Sequence, residues 1–235
     1  MIVTKNTHSD FPFENTITES KGMNTSGSAT YADGVLGMAL TNNSTSYEGL
    51  SVGDVTSFNY LHQTGKGAVS FWLKLNDNLT SDIQTVVGST PGGSRVKGFW
   101  IAYDNRRIAG FENLTTNALR CWITGGFGTT NYWVLRISKQ DAITDNNWHH
   151  YLLNFETPNN MAEIYIDGVV QTSYSFQETN AVVSENAANV AKVAVHPTAT
   201  QWQLRGSLQE LRFYTSPLSI SDIKRTINGL HPLNG

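Results

Sequence analysis

Residues 68–75 read Ala-Val-Ser-Phe-Trp-Leu-Lys-Leu, and large apolar side chains recur in this stretch at every second position. The apolar members of the alternation are Val69, Phe71, Leu73 and Leu75. Successive side chains of a β-strand point to opposite faces, so this period of two predicts a strand with one buried face. Trp72 then lies on the opposite face of the same strand.

The same alternation returns along the chain between turn signals, which is typical of a sandwich of short strands. The further predicted strands are Phe99–Tyr103, Leu119–Thr124, Tyr132–Ile137, Trp148–Phe155, Ala162–Ile166, Val169–Thr172 and Leu208–Tyr214. Asp167-Gly168 supplies the positive φ of a two-residue hairpin turn, and a second hairpin is expected around Gly125–Asn131. One short helix is expected at Ser221–Asn228, with Ser219 or Ser221 as N-cap and Gly229 as C-cap. Strands with so little helix predict two stacked antiparallel sheets.

Composition excludes several classes of function. The 235 residues carry a formal net charge of −3, and 15% of them are charged, against about 25% in an average globular chain. Nucleic acid is therefore not expected as a partner, because phosphate binding needs clustered positive charge.

No apolar run reaches the ~20 residues of a membrane span, so membrane insertion is not expected. Cys121 is the one cysteine and cannot form an intrachain disulfide. The polar stretch Lys21–Thr30 is expected to be a surface loop.

Seven segments, in order, carry a family resemblance. They are Phe11-Pro12-Phe13-Glu14, Asp33–Leu40, Gly67–Leu75, Asn147–Tyr151, Ile164–Val169, Gly206–Tyr214 and Pro217–Ile223. Together they resemble the motifs of the laminin-G-like, concanavalin A-like lectin/glucanase family. The resemblance implies an all-β fold, a two-sheet antiparallel jelly-roll sandwich. We expect one domain over residues 1–235, with a core at about 11–227 and an elaborated hairpin at about 106–146.

Catalysis is not expected. Hydrolytic relatives of this fold carry an E-x-D-x-x-E strand, and this sequence has no such triplet. Glu163 and Asp167 share a face, but Asp167 already serves the Asp-Gly turn. His149 and His150 with Tyr151 resemble the Tyr and His of lyases on this fold only loosely. Neighbouring residues of a strand face opposite ways, so the two histidines are interpreted as strand packing and not as a metal pair.

The resemblance also implies a structural calcium ion between the start of the chain and the closing strand. Relatives place an aspartate in that strand where this sequence has Gln209. Calcium prefers oxygen ligands, and a carboxylate supplies charge that an amide lacks. The candidate ligands are the carbonyl oxygen of Gln209 together with Glu14 or Asp33.

Aromatic residues are the leading functional signal, with six Trp, nine Tyr and ten Phe in the chain. Aromatic faces pack against the apolar faces of pyranose rings, while polar groups meet the hydroxyls. The candidate ligand-binding residues are Trp72, Phe127, Tyr132, Trp133, Tyr165, Arg212 and Tyr214. Arg212 is included because a guanidinium binds hydroxyls or a carboxylate. The alternative is that these aromatics cover sandwich edges or form the interface of a homo-oligomer.

The leading hypothesis is a non-catalytic recognition module that binds a glycan, a cell-surface polysaccharide or another surface polymer. Residues Met1–Asn6 lack the pattern of a secretory signal, and the composition is reminiscent of phage decoration, fibre or adhesion proteins. The expected location is therefore extracellular or on a virion surface, with capsid or other virion proteins as further partners. Two alternatives stay open, namely a purely structural virion or assembly protein with no small ligand, and a polysaccharide hydrolase or lyase.

Overall fold

A computed structural model describes most of the chain. The described residues are 7–13, 22–42, 49–76, 83–90, 97–105, 117–124, 133–139, 141–156, 161–171, 174–179, 186–199 and 201–230, of which 133–139 and 174–179 are described as backbone only. Their elements, in chain order, are β1 (Thr7–Phe11), β2 (Thr25–Gly27), β3 (Thr30–Asp33), β4 (Met38–Asn42), β5 (Leu50–Val52), α1 (Asn59–Thr64), β6 (Lys66–Leu75), β7 (Ile83–Gly88), β8 (Gly98–Asp104), β9 (Ala118–Thr124), β10 (Trp133–Lys139), β11 (His149–Glu156), β12 (Met161–Ile166), β13 (Val169–Gln171), β14 (Tyr174–Thr179), β15 (Ala191–Val193), β16 (Gly206–Tyr214) and α2 (Ile220–Ile227).

The strands form two eight-stranded antiparallel sheets within these residues. Sheet 1 has the order β13-β12-β11-β6-β16-β4-β3, and β1 also pairs with β16. Sheet 2 has the order β14-β10-β9-β8-β7-β15-β5-β2. This arrangement confirms the predicted all-β, two-sheet antiparallel fold.

The inner faces of both sheets supply the core. Val69, Phe71, Leu73 and Leu75 on β6 are each at most 1% exposed, as their alternation predicted. Phe58, which precedes α1, packs its ring 4.7 Å from that of Phe213 in sheet 1 and 5.5 Å from that of Phe99 in sheet 2. Apolar burial of this kind contributes roughly 25 cal/mol per Å², so the two sheets are held together mainly by these inner faces.

The predicted Asp167-Gly168 hairpin is present, and the two strands of the second predicted hairpin are paired. Ile166 pairs with Val169, and the turn residues Asp167 and Gly168 have φ of 50° and 76°. These positive values are those of the tight turn that Asp-Gly favours. Strands β9 and β10 also pair in antiparallel register, from Leu119 opposite Lys139 to Thr124 opposite Val134, while the residues that join them lie outside the described part of the chain.

Helix α2 confirms the expected helix at the end of the chain. The hydroxyl of Ser219 caps the backbone N–H of Asp222, and the carboxylate of Asp222 accepts from the backbone N–H of Ser219. Asn228, and not Gly229, is the C-cap; Gly229 follows it with a φ of 69°.

Two local expectations differ from the structure. Helix α1 was not predicted, because Phe58 at its N-cap makes no side-chain capping bond and its six residues give no clear period. Within the stretch expected to be a loop, Thr25–Gly27 forms β2 and pairs with β5. A polar three-residue edge strand has no apolar alternation by which it would be recognised.

The outer faces of the two sheets differ in what covers them. On sheet 1, two residues of the C-terminal part of the chain, Leu218 just before α2 and Ile223 within it, pack against the outer face. They contact Leu152, Tyr165 and Tyr214. This C-terminal segment, residues 215–230, thus covers the part of the face around Tyr165 and Tyr214. On sheet 2, the described residues of the outer face include Trp100 and the half-buried Trp122. None of the described helices has the length and apolar character needed to cross a membrane.

Candidate functional site

Two tryptophans meet on the outer face of sheet 2 because of strand parity and register. Phe99 and Ile101 on β8 face the core, so Trp100 between them faces outward. On β9, Cys121 and Ile123 face the core and leave Trp122 outward. Trp100 and Trp122 are directly opposite each other across the two strands, and their ring centres lie 5.0 Å apart with the planes at 44°.

A third tryptophan reaches the same place from the other side. Trp202 lies in the irregular segment before β16, and its carbonyl oxygen accepts a hydrogen bond from the backbone N–H of Thr85 on β7. Its ring centre is 6.4 Å from that of Trp100. We call Trp100, Trp122 and Trp202 the tryptophan cluster. Trp100 is 1% exposed and its indole N–H donates to the hydroxyl of Thr85, whereas Trp122 and Trp202 are half-buried.

His196 stands against the tryptophan cluster in a fixed orientation. Its Nδ1 accepts hydrogen bonds from the backbone N–H groups of Thr198 and Ala199, at 3.2 and 2.8 Å. An acceptor nitrogen carries no proton, so the neutral ring carries its proton on Nε2. The imidazole is nearly perpendicular to the indole of Trp202, at 87° with centres 4.8 Å apart, an edge-to-face packing that aromatic rings prefer.

An ion pair lies beside the tryptophan cluster. Arg120 on β9, two residues before Trp122, places its Nε 3.4 Å from a carboxylate oxygen of Asp104 on β8. Their side chains are 5% and 0% exposed. The two charges therefore compensate each other within the sheet face, and beside them Trp122 and Trp202 present half-buried aromatic surface. Such a surface suits the apolar face of a sugar ring.

Four of the predicted ligand-binding residues lie together on the outer face of sheet 1. Trp72, Tyr165, Arg212 and Tyr214 are opposite the core face of their strands, so their predicted parity is confirmed. The expectation that these side chains lie on an open surface is wrong for all four of them, which are 9%, 8%, 4% and 0% exposed in that order. The C-terminal segment packs against Tyr165 and Tyr214 and accepts a hydrogen bond from Arg212.

Contacts within the protein already occupy these side chains. The guanidinium of Arg212 pairs with Asp10 and Glu210 and donates to the carbonyl oxygen of Gly229. The hydroxyl of Tyr165 donates to Glu163 at 2.8 Å, and burial together with that carboxylate raises the pKa of Tyr165 to about 12. Trp72 packs edge-to-face on His150, with ring centres 5.5 Å apart.

The remaining three candidates, Phe127, Tyr132 and Trp133, have side chains outside the described part of the structure. Phe127 and Tyr132 fall outside the described residues. Trp133 begins β10, opposite Thr179 of β14, and only its backbone is described. It belongs to sheet 2, the same sheet as the tryptophan cluster. A ligand-binding role of these three residues stays a prediction.

The neighbouring histidines face opposite ways, as predicted. His149 is partly exposed, with Nδ1 2.6 Å from Asp167 and Nε2 3.1 Å from Asp145. Burial acts to lower the pKa of His149, but the hydrogen bonds and charges of Asp167 and Asp145 outweigh it and raise the pKa. His150 is buried, and burial lowers its pKa to about 4. Across the described part of the chain, no group of three or more His, Cys, Asp or Glu is arranged to hold a metal ion.

The predicted calcium ligand Gln209 does not fit that role. Its Oε1 accepts hydrogen bonds from the backbone N–H groups of Val35 and Leu36, both at 3.0 Å, and its Nε2 donates to the carbonyl oxygen of Met38. The oxygen therefore faces two positive N–H ends, where a cation would be repelled. Asp33 is exposed at the end of β3, and Glu14 lies outside the described residues. Gln209 therefore stabilises the turn between β3 and β4 through its own side-chain hydrogen bonds.

A polar cavity of about 380 Å³ lies elsewhere on the described surface. It is lined by His8, Gly22, Met23, Asn24, Gly53, Asp54 and Ser57. The carboxylate of Asp54 accepts from Thr56 and Ser57, so it stabilises its own turn. These contacts account for the position of Asp54 in the cavity without a ligand.

The sequence from residue 43 to 224 matches the family model of the concanavalin A-like lectin/glucanases superfamily. The match covers most of the chain, and the protein belongs to this superfamily. No curated protein matches the sequence.

Solved structures share the fold at low sequence identity. Domain 4 of AbnA, an extracellular GH43 arabinanase from Geobacillus stearothermophilus, in complex with arabinotriose, is 20% identical, with 94% of this chain and 98% of that one covered and a TM-score of 0.58. The binding domain of Paraclostridial Mosquitocidal Protein 1 is 15% identical, with 95% and 52% covered and a TM-score of 0.65. The receptor-binding domain of the botulinum neurotoxin C/D mosaic is 11% identical, with 95% and 51% covered and a TM-score of 0.64. The chain spans about half the length of the two toxin domains, and the likeness is one of fold.

Proposed function

We propose that the protein is a non-catalytic module that binds a glycan on the outer face of sheet 2, with Trp122 and Trp202 as its main contacts. The observation that carries this proposal is the tryptophan cluster, in which two half-exposed indoles flank the buried Trp100. Indoles of this kind offer large apolar faces at low entropic cost, together with an N–H donor at one edge.

The surroundings of the tryptophan cluster support binding over catalysis. Glycoside hydrolysis generally needs two carboxyl groups on either side of the scissile bond, roughly 5–9.5 Å apart. Asp104, the carboxylate that β8 places on this face, is buried and paired with Arg120. A carboxylate held in this way serves the sheet and is not aimed at a substrate. The arabinotriose-bound domain of the arabinanase is consistent with sugar binding on this fold.

The test is binding to a panel of soluble polysaccharides by affinity electrophoresis and to a glycan array. We expect Trp122→Ala and Trp202→Ala each to weaken binding, by about 2 kcal/mol or ~30-fold if each is a binding hot spot. Trp148→Ala is the matched control, because Trp148 is half-buried like the other two but directly precedes β11 of sheet 1, so its loss should not affect binding. Circular dichroism confirms that the variants are folded.

Two outcomes would overturn the proposal. One is that the wild-type protein retains no polysaccharide or glycan in either assay, which would favour the purely structural alternative. The other is that both tryptophan variants bind as well as the wild type. Release of reducing sugar from the same panel would favour the enzymatic alternative. Location on a virion or another extracellular surface stays a prediction that these assays do not address.

A further inference from the structure

Resting on the proposed function, we infer that the ligand is a chain of several sugar units that crosses the strands of sheet 2. Trp122 and Trp202 form two separate contact sites on it, and His196 is a positioning residue that holds Trp202 in place. Three observations carry the inference. They concern the row of residues across the sheet, the separation of the two half-buried indoles and the fixed orientation of the imidazole.

The first observation is a row at right angles to the strands. Gly88 on β7, Trp100 on β8 and Trp122 on β9 are opposite one another in register. A Cβ atom at Gly88 would come within 2.7 Å of Cδ1 of Trp100. Because Gly88 has no side chain, the indole of Trp100 can lie against β7. It forms the buried middle of the row. Ligand contact is thereby left to the half-buried indoles on either side.

The second observation is that the indoles of Trp122 and Trp202 lie on different sides of Trp100. Trp122 comes from β9, whereas Trp202 is fastened to β7 through the N–H of Thr85. Strands β7 and β9 are two strand spacings apart, which is roughly 10 Å. The ring centres of Trp122 and Trp202 lie 5.0 and 6.4 Å from that of Trp100, and we infer from their positions on its two sides that one pyranose ring does not cover both. A chain lying across the strands can contact both at once.

The third observation is that Trp202 does not depend on a strand for its orientation. It lies in an irregular segment, where side-chain direction is set by neighbours. His196 is 1% exposed, its Nδ1 is held by two backbone N–H groups, and its ring is edge-to-face with both Trp202 and Trp100. The imidazole therefore packs against both the buried Trp100 and the half-buried Trp202, and this supports a role in orienting the second indole.

The test of chain length uses oligosaccharide ladders of one to six units, prepared from arabinan, xylan, cellulose and chitin, titrated calorimetrically into the full chain. We expect affinity in one ladder to rise at least about tenfold from the single sugar to the length that reaches both indoles, because two linked contacts reinforce each other, and then to level off. In Trp122→Ala and in Trp202→Ala the rise should disappear, while Trp148→Ala should keep it.

Failure of the inference differs from failure of the proposed function. If a single sugar binds within about twofold of the six-unit oligosaccharide, the protein is a glycan binder with one contact site and the inference is wrong. If no ladder member and no parent polysaccharide binds, the proposed function fails and the inference fails with it.

The positioning role of His196 has its own readout. In His196→Asn the side-chain oxygen can still accept from the backbone N–H groups of Thr198 and Ala199, but the ring edge against Trp202 is lost. We expect this variant to stay folded, to change the near-ultraviolet circular dichroism of the paired indoles, and to bind long oligosaccharides no better than Trp202→Ala does. Binding of the single sugar should be unchanged. The positioning role would be wrong if His196→Asn had the spectrum of the wild type and its affinity for long oligosaccharides. It would also be wrong if the spectrum changed while the affinity for long oligosaccharides stayed the same.

Discussion

Arg212 and Asp10 form a buried ion pair in sheet 1, with Nε of the arginine 3.0 Å from Oδ1 of the aspartate and both side chains less than a tenth exposed. The same guanidinium pairs with Glu210 and donates to the carbonyl oxygen of Gly229, just beyond α2. One side chain therefore joins β1, β16 and the end of the C-terminal segment. This network, together with the packing of Leu218 and Ile223, holds that segment against the outer face of sheet 1.

Arg212→Ala should be among the most destabilising single changes in the protein. It leaves two carboxylates buried without their cation, and breaking one side of a buried ion pair costs about 3–5 kcal/mol. Urea unfolding followed by tryptophan fluorescence measures the change. Arg205→Ala, at a half-buried site before β16, is the matched control and should cost much less. A loss below about 1 kcal/mol in Arg212→Ala would show that the network does not hold the fold together.

The fold was predictable because its signal is local. The alternation of Val69, Phe71 and Leu73 indicates which face of β6 points into the core between the sheets, whatever strands lie beside it. Closure of the outer face of sheet 1 was not predictable in this way. It depends on Leu218 and Ile223 packing against Tyr214, which are tertiary contacts that no period of two reports. For this reason Arg212 and Tyr214 were expected on an open surface.

The tryptophan cluster was only partly within reach of the sequence. Parity alone places Trp100 and Trp122 outward, because Ile101 and Cys121 face the core. That they meet depends on the pairing of β8 with β9, whose sequence positions are separated by residues 105–117. Trp202 lies in an irregular segment without any period. Its approach to the cluster is therefore visible only in the folded structure.

Gln209 should make the turn between β3 and β4 independent of calcium. Its amide satisfies three backbone groups, so Gln209→Leu should cost about 1–3 kcal/mol for each buried polar group that stays unpaired. Thermal unfolding of the wild type should give the same midpoint in millimolar calcium chloride and in EDTA. A calcium-dependent rise in the wild type that is lost in Gln209→Leu would contradict this prediction and place a cation at the turn.

His149 should stabilise the protein more in acid than in alkaline solution. Its folded pKa is raised, so its contribution is fully present below the unfolded value of about 6.5 and is lost as the pH rises through the folded pKa. The charged groups that face it are Asp145 and Asp167, with the ring of Tyr151 6.4 Å away. Because the site is partly exposed, the effect should stay below about 1 kcal/mol.

The measurement is the free energy of unfolding of the wild type and of His149→Gln between pH 5 and pH 9, the two curves being compared at each pH. The gap between them should be widest at the acid end and should narrow towards alkaline pH. A gap that is constant over the whole range would show that the carboxylates do not hold the protonated form of His149.

His150 should act in the opposite direction to its neighbour. Burial lowers its folded pKa to about 4, so the folded state holds it neutral while the unfolded chain takes up a proton below about 6.5. Stability should therefore fall as the pH drops from about 6.5 to 4, by roughly 1–3 kcal/mol from this residue. His62, also buried with a pKa lowered to about 4, adds to the same acid limb. His150→Phe keeps the ring packing on Trp72 and removes the titrating group. The free energy of unfolding of this variant should therefore fall less steeply between about pH 6.5 and 4 than that of the wild type. His149→Gln, measured over the same range, is the neighbouring control. An acid limb of unchanged steepness in His150→Phe would mean that this imidazole does not need to stay neutral for the fold to form.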